Sequence, residues 1–308
     1  MLRFVIRRLL SAIPMIIAVM TACFFIIRMA PGSPFDRDSV ELSAEVKANL
    51  RAQYGFDKPL YEQYLIFMKN GLQGEFGESY SYRGQSVSEI IREALPVSAT
   101  IGFLSLTVSL LIGVTLGAIC AVRQNSIIDY FTVGFAALGR SIPPMVLAPI
   151  LVEFLAVRLG WLPAAGWGNG AWNYLIGPVL CLALYDITTI ARLSRGSLLE
   201  ILRSKHLITA RAKGLPETSV IIIHALREAM LPVVTYLGPA AAGILVGTVV
   251  IEQVFNIPGL GRYWVSAAVN RDYTLLLGIL TLNAVLLTIM NTLSDIAVGL
   301  LDPRIRMR

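Results

Sequence analysis

The sequence predicts an all-α, polytopic membrane protein with six transmembrane helices. Of its 308 residues, 56% are hydrophobic and only 15% are charged, and the mean hydropathy is +0.68. Soluble domains carry about 25% charged residues, so this composition excludes an ordinary soluble protein. Apolar stretches close to the roughly 20 residues that cross a bilayer recur along the chain. These predicted spans are residues 9–27, 99–122, 130–157, 174–191, 232–251 and 274–301.

Basic residues lie beside alternate ends of these spans and set the predicted orientation. Arginines precede the first span, follow the second and close the chain after the sixth. The loop 192–230, after the fourth span, carries seven basic and three acidic residues, a net charge of +4. All these regions fall on one side of the membrane, and positively charged loops remain in the cytoplasm. Both termini are therefore predicted to be cytoplasmic, and the overall net charge of +6 needs no nucleic-acid partner.

Three regions follow from this topology. Residues 1–28 form a cytoplasmic N-terminus and an uncleaved first span, because the apolar run is long and ends without a small-x-small cleavage pattern. Residues 29–98 form an extracytoplasmic helical insertion. Residues 99–308 form a five-span core that contains the cytoplasmic loop 192–230.

The insertion differs from the inner face in charge and in pattern. Between residues 31 and 96 its net charge is −3. Apolar residues at helical spacing predict helices over 43–54 and 59–72, and a capping box of Ser86 and Glu89 begins a third helix toward Leu95. The insertion is too small for a self-sufficient catalytic domain. We expect it to cover the pore or to meet an external partner.

Four residues of the third and fourth spans are candidates for a substrate path or gate. Pro143 and Pro144 interrupt helical hydrogen bonding at membrane depth, where such breaks occur beside protein or a water-filled cavity. Ordinary kinking explains them equally well. Arg140 and Asp186 lie deep in their spans, where a charge costs about 2.5–3.5 kcal/mol even on the lenient insertion scale. Their depth favours a pore-lining or paired role.

The loop 192–230 also predicts a rigid elbow. A helix expected over residues 198–213 is followed by Gly214, Leu215 and Pro216. Glycine can end a helix in the left-handed conformation, and proline cannot continue it. Small and basic residues just before the elbow suit a partner surface, because alanines allow close approach and basic side chains pair with acids.

The core of this loop, TARAKGLPE at residues 209–217, resembles the conserved cytoplasmic loop of ATP-binding-cassette (ABC) importer permeases, specifically the peptide-importer branch. Other segments resemble the same branch in the same order, across essentially the whole chain. They are APGSPF (30–35), YGFDKPLYEQY (54–64), GWLPAAGW (160–167), EQVFNIPGLGR (252–262), NRDY (270–273) and DPRIR (302–306). APGSPF and RGSLLEIL (195–202) favour an oligopeptide importer over dipeptide or nickel relatives. Ile208 departs from the general importer consensus, which has Glu there.

This resemblance implies a type I ABC importer permease of the bacterial inner membrane, a transporter subunit without an ATPase site of its own. The implied partners are a homologous second permease subunit, two ATPase subunits that bind ATP and Mg²⁺, and an extracytoplasmic binding protein that delivers peptide. The implied ATPase-coupling residues are Leu207, Thr209, Ala210, Arg211, Ala212, Lys213, Gly214 and Leu215. The implied contacts of the outer loop with the binding protein are Glu252, Asn256, Pro258, Gly259, Gly261 and Arg262.

Missing motifs narrow the function classes. No GxxxxGK[ST] motif occurs, so energy must come from a partner. The three cysteines fall in apolar spans without a CxxC or a histidine nearby, so no metal site is predicted. No protease or lipase motif occurs. Two alternatives of another class stay open, a self-contained carrier and an intramembrane hydrolase that uses Asp186 and Asp295. Inverted repeats would favour a carrier, and none is convincing.

Overall fold

A computed structural model describes residues 2–29, 55–82, 84–245 and 249–301, together with positions 45, 49 and 52. These residues are helical apart from connecting loops and an isolated β-bridge between Glu78 and Ser86. The helices before residue 170 are α1 Leu2–Met29, α2 Leu60–Gln73, α3 Val87–Val122, α4 Ile127–Ser141 and α5 Pro144–Arg158. The later helices are α6 Trp172–Leu202, α7 Lys205–Ala212, α8 Glu217–Ala229, α9 Leu231–Leu245, α10 Val249–Val254, α11 Leu260–Val269 and α12 Tyr273–Leu301.

Four of these helices, α1, α3, α6 and α12, are long and apolar enough to cross a membrane. Two bent pairs bring the number to six if each pair is one span. The helices α4 and α5 meet at 101°, and α8 and α9 meet at 48°. The all-helical, multi-pass architecture predicted from the sequence is therefore confirmed, while the count of six stays a prediction.

The third predicted span, 130–157, is broken at the two prolines that were expected to interrupt it. The chain breaks between α4 and α5, where Ile142 is extended (φ −93°, ψ 112°) and Pro143 and Pro144 begin the next helix. A proline disfavours the helical conformation of the residue before it and lacks an N–H of its own. By contrast, the continuous helices α6 and α9 contain Pro178 and Pro239 without a break.

The helix predicted from Ser86 toward Leu95 is not a separate element of the insertion. The predicted capping box is present, because Ser86 Oγ accepts a hydrogen bond from Glu89 N (3.1 Å) and Glu89 Oε2 accepts one from Ser86 N (3.0 Å). However, α3 then continues through Pro96 to Val122. The boundary proposed at residue 98 thus falls inside a helix. Three predicted segments lie outside the described residues: APGSPF (30–35), DPRIR (302–306) and nearly all of the helix predicted over 43–54.

The parallel pair α3 and α6 forms the centre of the bundle. Gly113 and Gly117 bring the two backbones together, since a Cβ on Gly117 would lie 2.5 Å from the carbonyl oxygen of Ala191. Ser109 Oγ also donates to the carbonyl of Ala183 (3.1 Å) across the same interface. Small residues that let membrane helices approach closely are a common packing device. Gly113 and Gly117 therefore serve the close packing of α3 against α6.

Both described ends of the chain lie at one end of the bundle. Arg8 of α1 and Asp295 of α12 form an ion pair with an Nη1–Oδ2 distance of 2.7 Å. Ser294, beside Asp295, donates to the carbonyl of Val234, which lies in the first turns of α9 directly after α8. The first turns of α1, the last turns of α12 and the α8–α9 junction therefore share one end. The assignment of this end to the cytoplasm stays a prediction from charge.

Candidate functional site

The predicted coupling helix over residues 198–213 is two helices. The helix α6 ends at Leu202, the chain turns at Arg203 and Ser204, and α7 begins at Lys205. Leu198 and Leu207 are both fully buried in one apolar cluster with residues of α3 and α8. Residues nine apart on a straight helix lie on opposite faces, at 3.6 residues per turn. The chain must therefore turn between them for both side chains to reach this cluster.

The predicted coupling residues divide into an anchor and an exposed surface. Leu207 is 0% exposed and holds α7 against the base of the bundle, and Ala210 is half-buried at the edge of the same cluster. The remaining predicted residues are exposed: Thr209, Arg211, Ala212, Lys213, Gly214 and Leu215. Ile208, where the general importer consensus has Glu, is 57% exposed. Leu207 therefore cannot contact a partner in this conformation, whereas the exposed residues around it can.

The elbow after α7 has the geometry of a Schellman motif. Gly214 has φ +79° in the left-handed region. Its N–H donates to the carbonyl of Arg211 (2.9 Å), and the N–H of Leu215 donates to the carbonyl of Ala210 (3.4 Å). These two bonds satisfy carbonyls that a helix end leaves unpaired. Pro216 then leads into α8, so the chain reverses within a few residues.

Arg211 has partners within this chain. Its Nε and Nη2 atoms donate to the two carboxylate oxygens of Glu217 at 3.0 and 2.7 Å, and Nη1 donates to the carbonyl of Leu202 at 3.2 Å. The hydrogen bonds to Glu217 raise the pKa of the Arg211 guanidinium above its usual value. The sequence-based expectation that Arg211 pairs with acids of a partner therefore competes with a pair already formed. Lys213, two residues further on, is also exposed and lies on the opposite face of the helix at 100° per residue.

The outer loop, residues 252–262, is held by the carboxylate of Glu252. This side chain is only 2% exposed; its oxygens accept hydrogen bonds from Ser98 Oγ and from the N–H of Gly261, each at 2.7 Å. Ser98 Oγ in turn accepts a hydrogen bond from the N–H of Leu260 (2.9 Å). A carboxylate at the first turn of α11 suits the unpaired N–H groups and the positive end of the helix dipole.

The predicted outer-loop contacts accordingly divide in two. Asn256, Pro258 and Arg262 are exposed, whereas Glu252, Gly259 and Gly261 are buried beneath them. A Cβ on Gly259 would lie 2.4 Å from a Glu252 oxygen, so this position needs glycine for close approach. Only the exposed three can meet a partner in this conformation.

The predicted path residues lie on α4, on α6 and at the bend between α4 and α5. The backbone of Arg140 belongs to α4, and its side chain lies outside the described residues. Pro143 is exposed and Pro144 half-buried at the bend between α4 and α5. Asp186 is 5% exposed and accepts a hydrogen bond from Tyr236 Oη of α9 (2.5 Å). Among the described residues, Pro144 is joined to α6 through Cys181, whose Sγ donates to the Pro144 carbonyl (3.6 Å), and no hydrogen bond or ion pair joins it to Asp186.

The alternative of an intramembrane hydrolase loses support from the positions of its two acids. Asp186 is bonded to Tyr236, whereas Asp295 is paired with Arg8 at the end of the bundle that carries the chain ends. Each carboxylate has a different partner on a different helix, so the described residues show no shared aspartate pair.

Two buried carboxylates that organise the fold were missed by the sequence reasoning. Asp129 receives two hydrogen bonds from Arg195, at 2.6 and 2.7 Å, which tie the start of α4 to α6. Asp272 accepts a hydrogen bond from Ser79 Oγ and one from the N–H of Leu275, so it caps α12 and joins it to the insertion. The spacing S-x-x-D at 126–129 and an aspartate three residues before Leu275 are N-terminal helix signals. No pattern in the sequence, however, indicates that Arg195 and Ser79 are the partners of these aspartates.

Two family models match the chain. Residues 113–307 match the binding-protein-dependent transport system inner membrane component, and residues 1–102 match the N-terminal region of a membrane component of the same kind of system. Among solved structures, one of the MetNI methionine ABC transporter in an inward-facing conformation has a TM-score of 0.57 and 21% sequence identity. That similarity covers 69% of this chain and 96% of the other and concerns the fold alone.

Curated relatives match over the full length. The oligopeptide transport system permease protein OppB of Haemophilus influenzae is 44% identical over 99% of this chain and 100% of its own length. OppB of Escherichia coli strain K12 is 42% identical with the same coverage. The dipeptide transport system permease protein DppB of Bacillus subtilis is 38% identical over 100% of this chain and 99% of its own. The chain therefore belongs to the binding-protein-dependent transport system inner membrane component family, and it is a multi-pass permease subunit of the ABC importer type.

Proposed function

We propose that this chain is one of two membrane subunits of an oligopeptide importer in the bacterial inner membrane. The observation that carries the proposal is the full-length similarity, at 42–44% identity, to permeases whose names specify oligopeptide transport. A dipeptide permease is similar at 38%, so a dipeptide importer is the second candidate. No P-loop motif occurs in the sequence, and ATP and Mg²⁺ would bind to two partner ATPase subunits.

In this proposal α7 is the element that receives the movement of an ATPase subunit. Its exposed residues Thr209, Ala212 and Lys213 would contact the partner, and Leu207 would carry the movement into the base of the bundle. Support comes from the contrast between a fully buried anchor and an otherwise exposed short helix. Closure of the ATPases would then switch the pore between its two faces, as in other domain-closure transitions.

At the opposite end, the outer loop would meet an extracytoplasmic peptide-binding protein. Its exposed residues Asn256, Pro258 and Arg262 are available for that contact, while Glu252 holds the loop in place. The insertion 29–98 would lie on the same side. Arg140, Asp186 and the bend at residues 143–144 are proposed to line the path or its gate. A homologous second permease subunit would complete the path.

Reconstitution tests the substrate class directly. The permease pair and its ATPases, in proteoliposomes that hold ATP inside, should take up labelled tetra- and pentapeptides when the peptide-loaded binding protein is added outside. ATP hydrolysis should rise with that addition. Uptake of dipeptides alone would support the second candidate. Uptake that persists without the ATPase subunits would contradict the proposal and favour a self-contained carrier.

The proposed orientation is tested by labelling in a cysteine-free background. Gln73, at the end of α2, and Thr218, in the first turn of α8, are both exposed. A membrane-impermeant thiol reagent added to intact spheroplasts should label a cysteine at position 73 and should not label one at 218. The two sites should react equally after the membrane is permeabilised. The reverse pattern in intact cells would overturn the orientation.

A further inference from the structure

We infer that Arg211 is a positioning residue, which sets the direction of α7 by tying it to α6 and α8, and does not act as a contact to the ATPase subunit. This inference rests on the proposed function of α7 as the coupling helix. It goes beyond that function because it assigns one of the exposed basic residues of α7 to a tie within the chain.

Arg211 bridges three helix ends at once. From the last turn of α7, its guanidinium reaches the carbonyl of Leu202, the last residue of α6, and the carboxylate of Glu217, the first residue of α8. A helix leaves its last carbonyls unpaired, and a cation is favourable near that end whereas an anion is favourable near a helix start. Each contact therefore suits the helix end where it lies.

Most of the hydrogen-bonding groups of Arg211, three of its five N–H donors, are already used within the chain. Both oxygens of Glu217 accept from Arg211, and three nitrogens of the guanidinium donate to Glu217 or Leu202. A bidentate arginine–carboxylate pair also fixes orientation in a way that a lysine cannot. An ATPase acid could reach only the two remaining N–H donors of Arg211 while Glu217 stays in place.

The register of α7 separates the tied face from a free one. Leu207 and Arg211 are four residues apart, so they lie on the same face of the helix, and both contact this chain. At 100° per residue, Lys205, Thr209 and Lys213 lie on the opposite face, and all three are exposed. The geometry thus assigns the second face to the ATPase and the first to the permease itself.

Charge exchange distinguishes a tie within the chain from a contact with a partner. In the complete importer, Arg211→Glu and Glu217→Arg should each lower ATP-driven peptide uptake by about fivefold or more, the lower range of measured coupling factors. The double variant, which exchanges the two charges, should recover most of the uptake. It need not recover all, because a glutamate at 211 cannot donate to the carbonyl of Leu202. A direct contact between Arg211 and the ATPase predicts no recovery, and that result would overturn the inference.

A matched control uses an exposed arginine that is not assigned to the ATPase contact. Arg227→Glu combined with Glu217→Arg exchanges the same two charges, but Arg227 lies ten residues along α8 from Glu217, about 15 Å on a helix. This pair should therefore be no better than Glu217→Arg alone. Recovery by this control would show that only net charge matters and would contradict a specific tie.

A distance measurement separates failure of this inference from failure of the proposed function. Spin labels at Thr209 in α7 and Arg227 in α8, both exposed, are placed in the permease pair without ATPases. Arg211→Glu should broaden their distance distribution, and the double variant should narrow it again. Unchanged distances would overturn the tie. If the distances respond as expected and uptake is unchanged in every variant, the coupling role of α7 is wrong.

Discussion

The two ends of the bundle hold their connecting segments in different ways. At the outer loop, a buried carboxylate on Glu252 receives its hydrogen bonds from Ser98 and from the backbone, away from solvent. At the elbow, the side chains of Arg211 and Glu217 are 37% and 56% exposed, and the burial is supplied by Leu207. One end is fixed by polar contacts in the interior, and the other by an apolar anchor with a charged pair at the surface.

Because of this difference, we expect the outer loop to be the stiffer of the two segments and the elbow to be the easier to move. A buried acceptor that loses its donor costs about 1–3 kcal/mol, and more when it is charged, so the outer loop resists partial opening. Exposed ion pairs are worth about 0–1 kcal/mol, so the direction that Arg211 sets for α7 can be changed at a lower cost than opening the outer loop, while Leu207 stays in place. A segment that must follow a moving partner benefits from the second design.

The largest effect is expected at the apolar anchor. Leu207→Ala should lower stability by about 2–5 kcal/mol, because a fully buried side chain is removed and a cavity remains. Thermal unfolding of the purified permease pair in detergent measures the loss. Ile208→Ala is the matched control on the same helix, since Ile208 is 57% exposed, and its effect should stay within about 0.5 kcal/mol. Equal losses from the two variants would contradict the proposed anchor.

A smaller loss is expected from the outer loop. Ser98→Ala removes a hydroxyl that donates to Glu252 and accepts from Leu260 N. Two buried groups lose their partner, and we expect a loss of about 1–3 kcal/mol, visible as faster proteolysis within residues 252–262. Thr100→Ala is the control on the same helix, because the Thr100 hydroxyl is exposed and bonds only the local Pro96 carbonyl. If both variants resist protease like the parent, the loop is not held by Ser98.

Next comes the glycine of the elbow. Gly214→Val places a β-branched residue at φ +79°, where a side chain costs about 1 kcal/mol or more. In the described part of the chain, no atom beyond the two neighbouring residues lies within 4 Å of the added Cβ, so we attribute the effect to backbone strain. Uptake should fall, with the permease still inserted and the ATPases detaching more readily in pull-down. Gly214→Asn should be milder, because asparagine tolerates this conformation. Gly214→Val with parental uptake and bound ATPases would contradict the elbow's role.

The smallest effect concerns an exposed pair near the end of α5. Glu153 and Arg158 form an ion pair at 3.0 Å with both side chains more than half exposed. Glu153→Gln should change stability by less than about 0.5 kcal/mol, measured by the same thermal unfolding. A loss as large as that of Ser98→Ala would show that exposure does not explain the contrast between the two ends.

Sequence patterns between neighbouring residues predicted helix starts, breaks and turns better than they predicted where each helix ends. The capping box at Ser86, the break before Pro143 and the left-handed glycine at 214 depend on neighbours in sequence, and the chain pattern indicated each of them. The single helix over 198–213 was wrong because its end is decided by Leu198 and Leu207 reaching one cluster, a contact that no local pattern encodes.

The same limit applies to the sites. The positions of the coupling segment and outer loop followed from motifs, but the sequence did not show which of their residues are buried. Glu252 and Arg211 were both expected to face partners, and each is bonded within the chain. Asp129 and Asp272 were missed because their partners lie 66 and 193 residues away. The role of these two aspartates depends on residues that are close in the fold but distant in the sequence.

The 36 residues of α3 have a mechanical consequence. At 1.5 Å per residue, the helix is about 54 Å long, and a whole bilayer with its headgroups is about 40–45 Å thick. The helix is therefore longer than the membrane is thick, and in the proposed orientation its first turns belong to the extracytoplasmic insertion. This one helix carries Ser98, which holds the outer loop, and Ala121, which packs in the same cluster as Leu207. If a movement at the cytoplasmic surface tilted α3, the outer loop would move with it, because no break in the helix separates Ala121 from Ser98.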